Sequence, residues 1–144
     1  MKAKRNSGFS LVEILVVLVI MGLLISVVAP TVLNRADDAR VQKAQADFKA
    51  IETALKIYRL DNYVYPTTEQ GLQALVEAST LDPEPRNFKV GGYLEEVPVD
   101  PWGRPYLYLS PGEQGSVDIY SLGADGLSGG EDQSADIGNW REED

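Results

Sequence analysis

The sequence predicts an α+β fold: one long N-terminal helix, membrane-spanning in its first half, with a small C-terminal antiparallel sheet packed on its second half. Three observations predict it. No charged residue occurs between Ile14 and Leu33, and at about 1.5 Å per helical residue such a run just crosses a bilayer's hydrocarbon core. Neither Gly nor Pro interrupts Thr31 to Tyr65, where apolar residues recur at steps of three and four. Beyond residue 100, short β-prone runs alternate with turns rich in Gly and Pro.

The apolar run is preceded by a basic leader, MKAKRNSG, carrying Lys2, Lys4 and Arg5, and holds one carboxylate, Glu13. The 17 Leu, Ile, Val and Phe side chains between Phe9 and Leu33 each favour insertion by roughly 0.3–0.6 kcal/mol, against about 3 kcal/mol for one acid, so apolarity prevails. An ionisable residue in such a segment marks a functional site when a partner can be named. A secretory signal would place a small-residue cut after the apolar run; here the small residue, Gly8, stands before it.

The residues Gly8-Phe9-Ser10-Leu11-Val12-Glu13 resemble the processing motif of type IV prepilins and type II secretion pseudopilins. The resemblance implies that a prepilin peptidase cuts between Gly8 and Phe9 and that the new N-terminus, on Phe9, is methylated. The cut removes three basic residues and leaves an amine four residues before Glu13. A carboxylate and an ammonium buried together recover desolvation cost that either alone would bear in lipid. Each subunit is thus expected to offer Glu13 to the Phe9 amine of a neighbour. The alternatives are that Glu13 pairs with its own amine or snorkels to the interface.

Composition narrows the chemistry. The 144 residues hold one small domain plus an anchor. Net charge is −9, and loss of Lys2, Lys4 and Arg5 leaves 10 basic against 22 acidic side chains, or −12. That balance argues against nucleic acid and suits cations. Cysteine and histidine are both absent, which excludes thiol and imidazole chemistry, the common zinc ligand sets and any Ser-His-Asp triad. No carboxylate pair has a spacing that singles it out, so the chain reads as non-enzymatic.

A single helix is expected from residue 9 to about 60, with a kink or local melting at Pro30. Val41, Ala44, Phe48, Ile51, Leu55 and Tyr58 form an apolar stripe on its second half. A coiled-coil seam would want more heptads of Leu, Ile or Val, so the stripe is read as the floor under the sheet. Pro66 marks the exit. In TTEQGLQALVEAS, Thr67 or Thr68 can cap a second, short helix with Leu72, Leu75 and Val76 on its apolar face, and residues 82–93 form a loop.

Asp100-Pro101-Trp102-Gly103 has the residues of a type I turn. Tyr106 to Leu109 and Val117 to Ser121 read as a hairpin. Trp102, Tyr106 and Tyr108 are read as cover for the long helix rather than a ligand platform. The stretch from Leu122 to Trp140 holds Asp125, Glu131, Asp132 and Asp136, with no Lys or Arg and with five glycines. By itself it should be disordered. Calcium, which takes six to eight oxygens, would change that balance, but the order of acids is not an EF-hand. On spacing alone a metal site and a solvated acidic tail both stand.

The segments YPTTEQGLQALV, DPWGRPY and the acidic loop are similar to the major pseudopilins of type II secretion, and with the leader they cover nearly the whole chain. The resemblance implies a cleaved leader at 1–8, a transmembrane assembly half at 9–33 and a periplasmic globular domain at 34–144, with a calcium loop at 122–140. It implies that Asp125 and Asp132 supply carboxylates to calcium, Leu122 a backbone oxygen and Ser134 a further oxygen. Ser128, Gly130 and Gln133 remain open as ligands, and Asp136 could support them from behind. It further implies a helical homopolymer rooted in the bacterial inner membrane, met by minor pseudopilins, the assembly platform and secreted proteins. A type IV pilin for adhesion or motility is a rival, though such pilins commonly close their C-terminal region with a cysteine pair. A membrane-anchored calcium-binding module that never polymerises is another.

Overall fold

The computed structural model describes residues 9–140, apart from the side chains of 27–34. Its first element, α1, is a helix over Leu11–Asn62. The chain divides into two units between Asp38 and Ala39.

In the first unit α1 begins at Ser10, whose carbonyl accepts the N–H groups of Glu13 (3.0 Å) and Ile14 (3.2 Å). Glu13 stands in the first turn, where a carboxylate favours the positive end of the helix. From Leu11 through Ile25 the large apolar side chains are exposed. The helix runs through residue 30 without interruption, so the local melting expected at Pro30 does not occur. One proline costs one ladder bond, which the turns on either side bridge. Among the described residues no helix is long and apolar enough to cross a membrane. Of the expected spanning segment, 9–33, the side chains are described only as far as Ser26. The leader, 1–8, lies outside the described residues.

In the second unit the stripe on α1 is a floor, as its spacing predicts. Ala44, Phe48, Ile51, Leu55 and Tyr58 are buried with Leu72, Leu75, Tyr106, Tyr108, Val117 and Ile119 in one core. Val41, at the edge of that stripe, is only half-buried. Full burial of such side chains is worth about 1.5–3 kcal/mol each. Phe48 and Tyr106 meet edge to face at 5.2 Å. The Tyr106 hydroxyl donates to Asp47 Oδ2 at 2.7 Å, and that of Tyr108 to the Pro66 carbonyl at 2.9 Å. Both tyrosines therefore cover the helix, whereas Trp102 stays half-buried outside the core.

Three short strands form the sheet, β1 (Leu107–Leu109), β2 (Asp118–Ser121) and β3 (Ile137–Gly138), antiparallel in that order. Tyr108 pairs with Ile119, and Ser121 with Ile137. The hairpin is the predicted one; β3 is an addition, closing the acidic stretch back onto β2. Asn139 continues it, exchanging N–H bonds with Ile119 at 3.0 Å and donating to Glu52 Oε1 on α1 at 2.9 Å.

The expected second helix is shorter than predicted. Thr67 and Gln70 satisfy each other reciprocally, Gln70 Oε1 accepting the Thr67 N–H (2.9 Å) and Thr67 Oγ1 the Gln70 N–H (3.2 Å), the pattern of a capping box. Gly71 then takes a φ of 63°, which breaks the helical path, and only a 3-10 turn, Leu72–Leu75, follows. Gln70 Nε2 donates to the carbonyls of Leu81 and Pro83 (2.7 and 2.9 Å), fastening the loop that comes next.

Two buried carboxylates hold the remaining turns. Asp100 closes the predicted turn, its carbonyl accepting the Gly103 N–H at 2.9 Å. Its Oδ1 accepts the N–H groups of Trp102 (3.0 Å) and Arg104 (2.7 Å), and Oδ2 the Ser121 hydroxyl at 2.6 Å. Asp118 gathers the N–H groups of Glu113, Gln114 and Gly115 at 2.6–3.0 Å. A buried carboxylate deprived of such donors is costly, and so are the donors deprived of it.

The Asp100→Ala chain should therefore lose about 2–4 kcal/mol of unfolding free energy in urea; a loss below about 0.5 kcal/mol would contradict the role given to this carboxyl. Burial raises the phenols of Tyr58, Tyr93, Tyr106 and Tyr108 above their ordinary 10.0, Tyr108 to about 12, and for Tyr106 the Asp47 carboxylate adds to the shift. A phenol held protonated more tightly in the folded chain contributes stability that is complete below pH 10 and is lost as pH rises through 12. Unfolding free energy should thus be level up to about pH 10 and fall above it, less steeply in Tyr108→Phe; a level curve to pH 12 would refute this.

Candidate functional site

Two regions carry the residues singled out by sequence. At the start of α1, Phe9 is exposed, and among the described residues the Glu13 carboxylate has no hydrogen-bond or ion-pair partner. Gly8 lies outside the described residues.

The second region is the acidic loop. Its charge suggests disorder, and the contacts that the structure gives it are non-local. Arg104, which follows the Asp100 turn, donates from Nη2 to the Gly123 carbonyl and lies against Gly126. Its Nε is 3.8 Å from Asp100 Oδ2. A cation from elsewhere in the chain thus sits at the neck of a loop that has none of its own. The two arms are tied by the Ala124 N–H donating to the Gln133 carbonyl at 2.8 Å. Within the loop, Glu131 and Asp132 begin a 3-10 turn, Asp132–Ser134, in which the Ser134 N–H reaches the Glu131 carbonyl at 3.0 Å.

The structure brings oxygen atoms together here. At Gly123, with φ 60°, a Cβ would stand 2.7 Å from the Ala135 carbonyl oxygen and 2.8 Å from that of Gln133, so only glycine admits these carbonyls. Gly130 packs as closely on the Ser134 carbonyl. Leu122 turns its carbonyl into the loop, where it accepts the Gly126 N–H at 3.1 Å. Asp125 Oδ1 accepts the Leu127 N–H at 2.9 Å, shaping a turn at the exposed tip. Asp132 takes a φ of 52° and is exposed.

Asp136, expected to support the ligands from behind, makes contacts of its own. Its Oδ2 accepts the Gly129 N–H (2.9 Å) and the Ser128 hydroxyl (3.4 Å), while Oδ1 is buried and has no hydrogen-bond partner among the described residues. A buried carboxylate oxygen and carbonyls crowded on glycines in one loop are oxygen donors of the kind that suit a hard cation. Among the described residues no three acidic side chains converge as a metal cluster, so any cation here takes mixed carbonyl, hydroxyl and carboxylate oxygens. Arg104 is the residue that sequence reasoning missed, because it lies outside the acidic window; Asp136 is singled out, but the burial of one of its oxygens leaves no mark in a sequence.

Among the described residues the arrangement contains no nucleophile–base pair. Residues 31–140 match the family model for type II secretion system (T2SS), protein G, and residues 3–29 match that for the prokaryotic N-terminal methylation motif. The type II secretion system core protein G of Pseudomonas aeruginosa is 55% identical over 140 residues, covering 97% of this chain and 99% of that one. Its counterpart in Vibrio cholerae is 53% identical over 143 residues, covering 99% and 97%. The crystal structure of the major pseudopilin from the type 2 secretion system of enterohaemorrhagic Escherichia coli superposes with a TM-score of 0.68 at 50% identity, covering 75% of this chain and 92% of that one. By the extent of these matches, the chain belongs to the type II secretion system protein G family.

Proposed function

We propose that this chain polymerises into a helical periplasmic pseudopilus whose growth drives folded proteins across the outer membrane. As a member of its family it is a structural pseudopilin of type II secretion and not an enzyme, and it works with other components of that system. The observation that carries the polymer reading is the first half of α1, where apolar side chains are exposed through Ile25 around a single acid that has no partner among the described residues. An apolar surface of that extent demands lipid or further copies. The run continues uncharged to Leu33 in sequence, which supports single-pass anchoring in the inner membrane with the second unit in the periplasm.

In this reading prepilin peptidase cuts between Gly8 and Phe9, and the methylated Phe9 amine of one subunit meets Glu13 of the next. Removing one partner of a buried ion pair costs about 3–5 kcal/mol, so the pair favours docking over solitude in lipid. The minor pseudopilins and the inner-membrane assembly platform are the partners that start and feed the fibre, and the secreted proteins are its cargo.

Calcium is the cation proposed for the acidic loop. Asp125 and Asp132 would supply carboxylate oxygens, Leu122 and Gln133 carbonyl oxygens, and Ser134 a further oxygen, with Asp136 supporting them from behind. Ser128 and Gly130 remain secondary candidates. Bound there, the ion supplies positive charge that offsets the repulsion among the loop's acids. The buried Asp136 oxygen without a donor and the carbonyls crowded on Gly123 support this reading.

Two outcomes test these readings. The Glu13→Ala chain, still cleaved after Gly8, should give about a hundredfold fewer sheared filaments than the unsubstituted chain, as loss of roughly 3 kcal/mol implies; an unchanged filament yield would remove the assembly role. For the loop, calcium at about 100 times its Kd should stabilise the full chain in detergent by roughly 2.7 kcal/mol, seen as a higher Tm that chelation reverses and Asp132→Asn abolishes. A Tm indifferent to calcium ends the calcium reading.

A further inference from the structure

The C-terminal end of α1 carries a feature that the subunit's own fold leaves idle. Tyr63 follows the last residue of the helix, its N–H donating to the Arg59 carbonyl at 2.7 Å, and takes a φ of 69°. That left-handed cap suits Gly or Asn and strains an aromatic residue. The Tyr63 side chain is 77% exposed and, among the described residues, makes no hydrogen bond or ring contact. Leu60 beside it is 76% exposed.

Two cations frame this apolar surface. The Arg59 guanidinium lies 5.0 Å over the Tyr65 ring, and among the described residues no carboxylate pairs with it. Lys56 is mostly exposed, 3.6 Å from Glu52. Lys56, Arg59, Leu60, Tyr63 and Tyr65 together line an open cleft of 490 Å³. On a chain of net charge −9, a cationic and aromatic cleft selects an acidic segment that carries an apolar side chain.

This chain contains such a segment. Leu127 projects from the acidic loop, 68% exposed, with Asp125, Glu131 and Asp132 also exposed around it. We infer that the cleft formed by Lys56, Arg59, Leu60, Tyr63 and Tyr65 receives the Leu127 tip of the acidic loop of another copy of this chain. Knob and cleft are built from different residues, so the contact is heterologous, and heterologous contacts that do not close propagate as helical filaments. The inference rests on the polymer reading and supplies it with a contact outside the apolar half of α1. Charge and shape act together: Arg59 and Lys56 face the loop's acids while Leu60 and Tyr63 cover Leu127.

The absence of cysteine makes a direct test clean. Full-length Tyr63→Cys and Leu127→Cys chains are co-expressed with the secretion machinery, oxidised in assembled filaments, and separated without reductant. Disulfide dimers should form from the mixed subunits, and a ladder of higher multimers from the doubly substituted chain. Filaments that assemble while the mixture stays monomeric overturn the inference and leave the polymer reading standing. So does a Tyr63→Cys chain that dimerises with itself in preference to the mixed pair, since the contact would then be self-paired. No filaments from the unsubstituted chain would overturn the polymer reading and this inference with it. Arg59→Glu should lower the mixed cross-link about tenfold and Glu131→Arg restore it, because like charges facing each other suppress docking; a yield indifferent to both changes overturns the proposed pairing.

Discussion

An apolar helix surface with nothing among the described residues of its own unit to lie against sets the terms for this molecule. Over residues 11–26 every side chain of α1 is exposed, and burying such surface is worth roughly 25 cal/mol per Å². The second half of the same helix satisfies that demand internally, with Ala44, Phe48, Ile51, Leu55 and Tyr58 closed under the sheet. The first half has to satisfy it elsewhere. In the proposed fibre Glu13 would turn a general need for cover into a specific one, because a carboxylate in an apolar setting is tolerated only beside a cation or donor.

The second unit meets a different difficulty, that of fastening long irregular segments without a disulfide. Its three strands hold nine residues in all, too few to stand without a floor. Buried carboxylates do the fastening. Asp100 joins the 100–104 turn to Ser121 on β2, and Asp118 gathers three successive N–H groups at the hairpin. Asp47, through the Tyr106 hydroxyl, ties α1 to the segment leading into β1. These bonds are charge-assisted and roughly twice as strong as neutral ones.

Much of this was legible because it is local. The stripe on α1 follows from steps of three and four, and the Asp100 turn from Asp, Pro and Gly at their favoured positions. The hairpin follows from two β-prone runs around PGEQG. The parts that were not legible depend on residues far apart in the chain. Nothing in the acidic stretch announces that Arg104 will neutralise its neck, or that Ile137 and Gly138 will pair with Ser121 and Tyr120, so its charge alone suggested disorder. The Thr67–Gln70 box promised a helix, but Gly71 at positive φ ended it after one turn. The fate of Asp136 Oδ1 is a matter of burial, which periodicity does not encode.

A density map of the assembled fibre at side-chain resolution would test the central claim most directly, by the distance from each Glu13 carboxylate to the nearest Phe9 amine. The account predicts an amine belonging to a neighbouring subunit within about 4 Å, the range of an ion pair. A fibre in which Glu13 faces the amine of its own chain, or faces lipid with no neighbour's amine near it, would contradict the account.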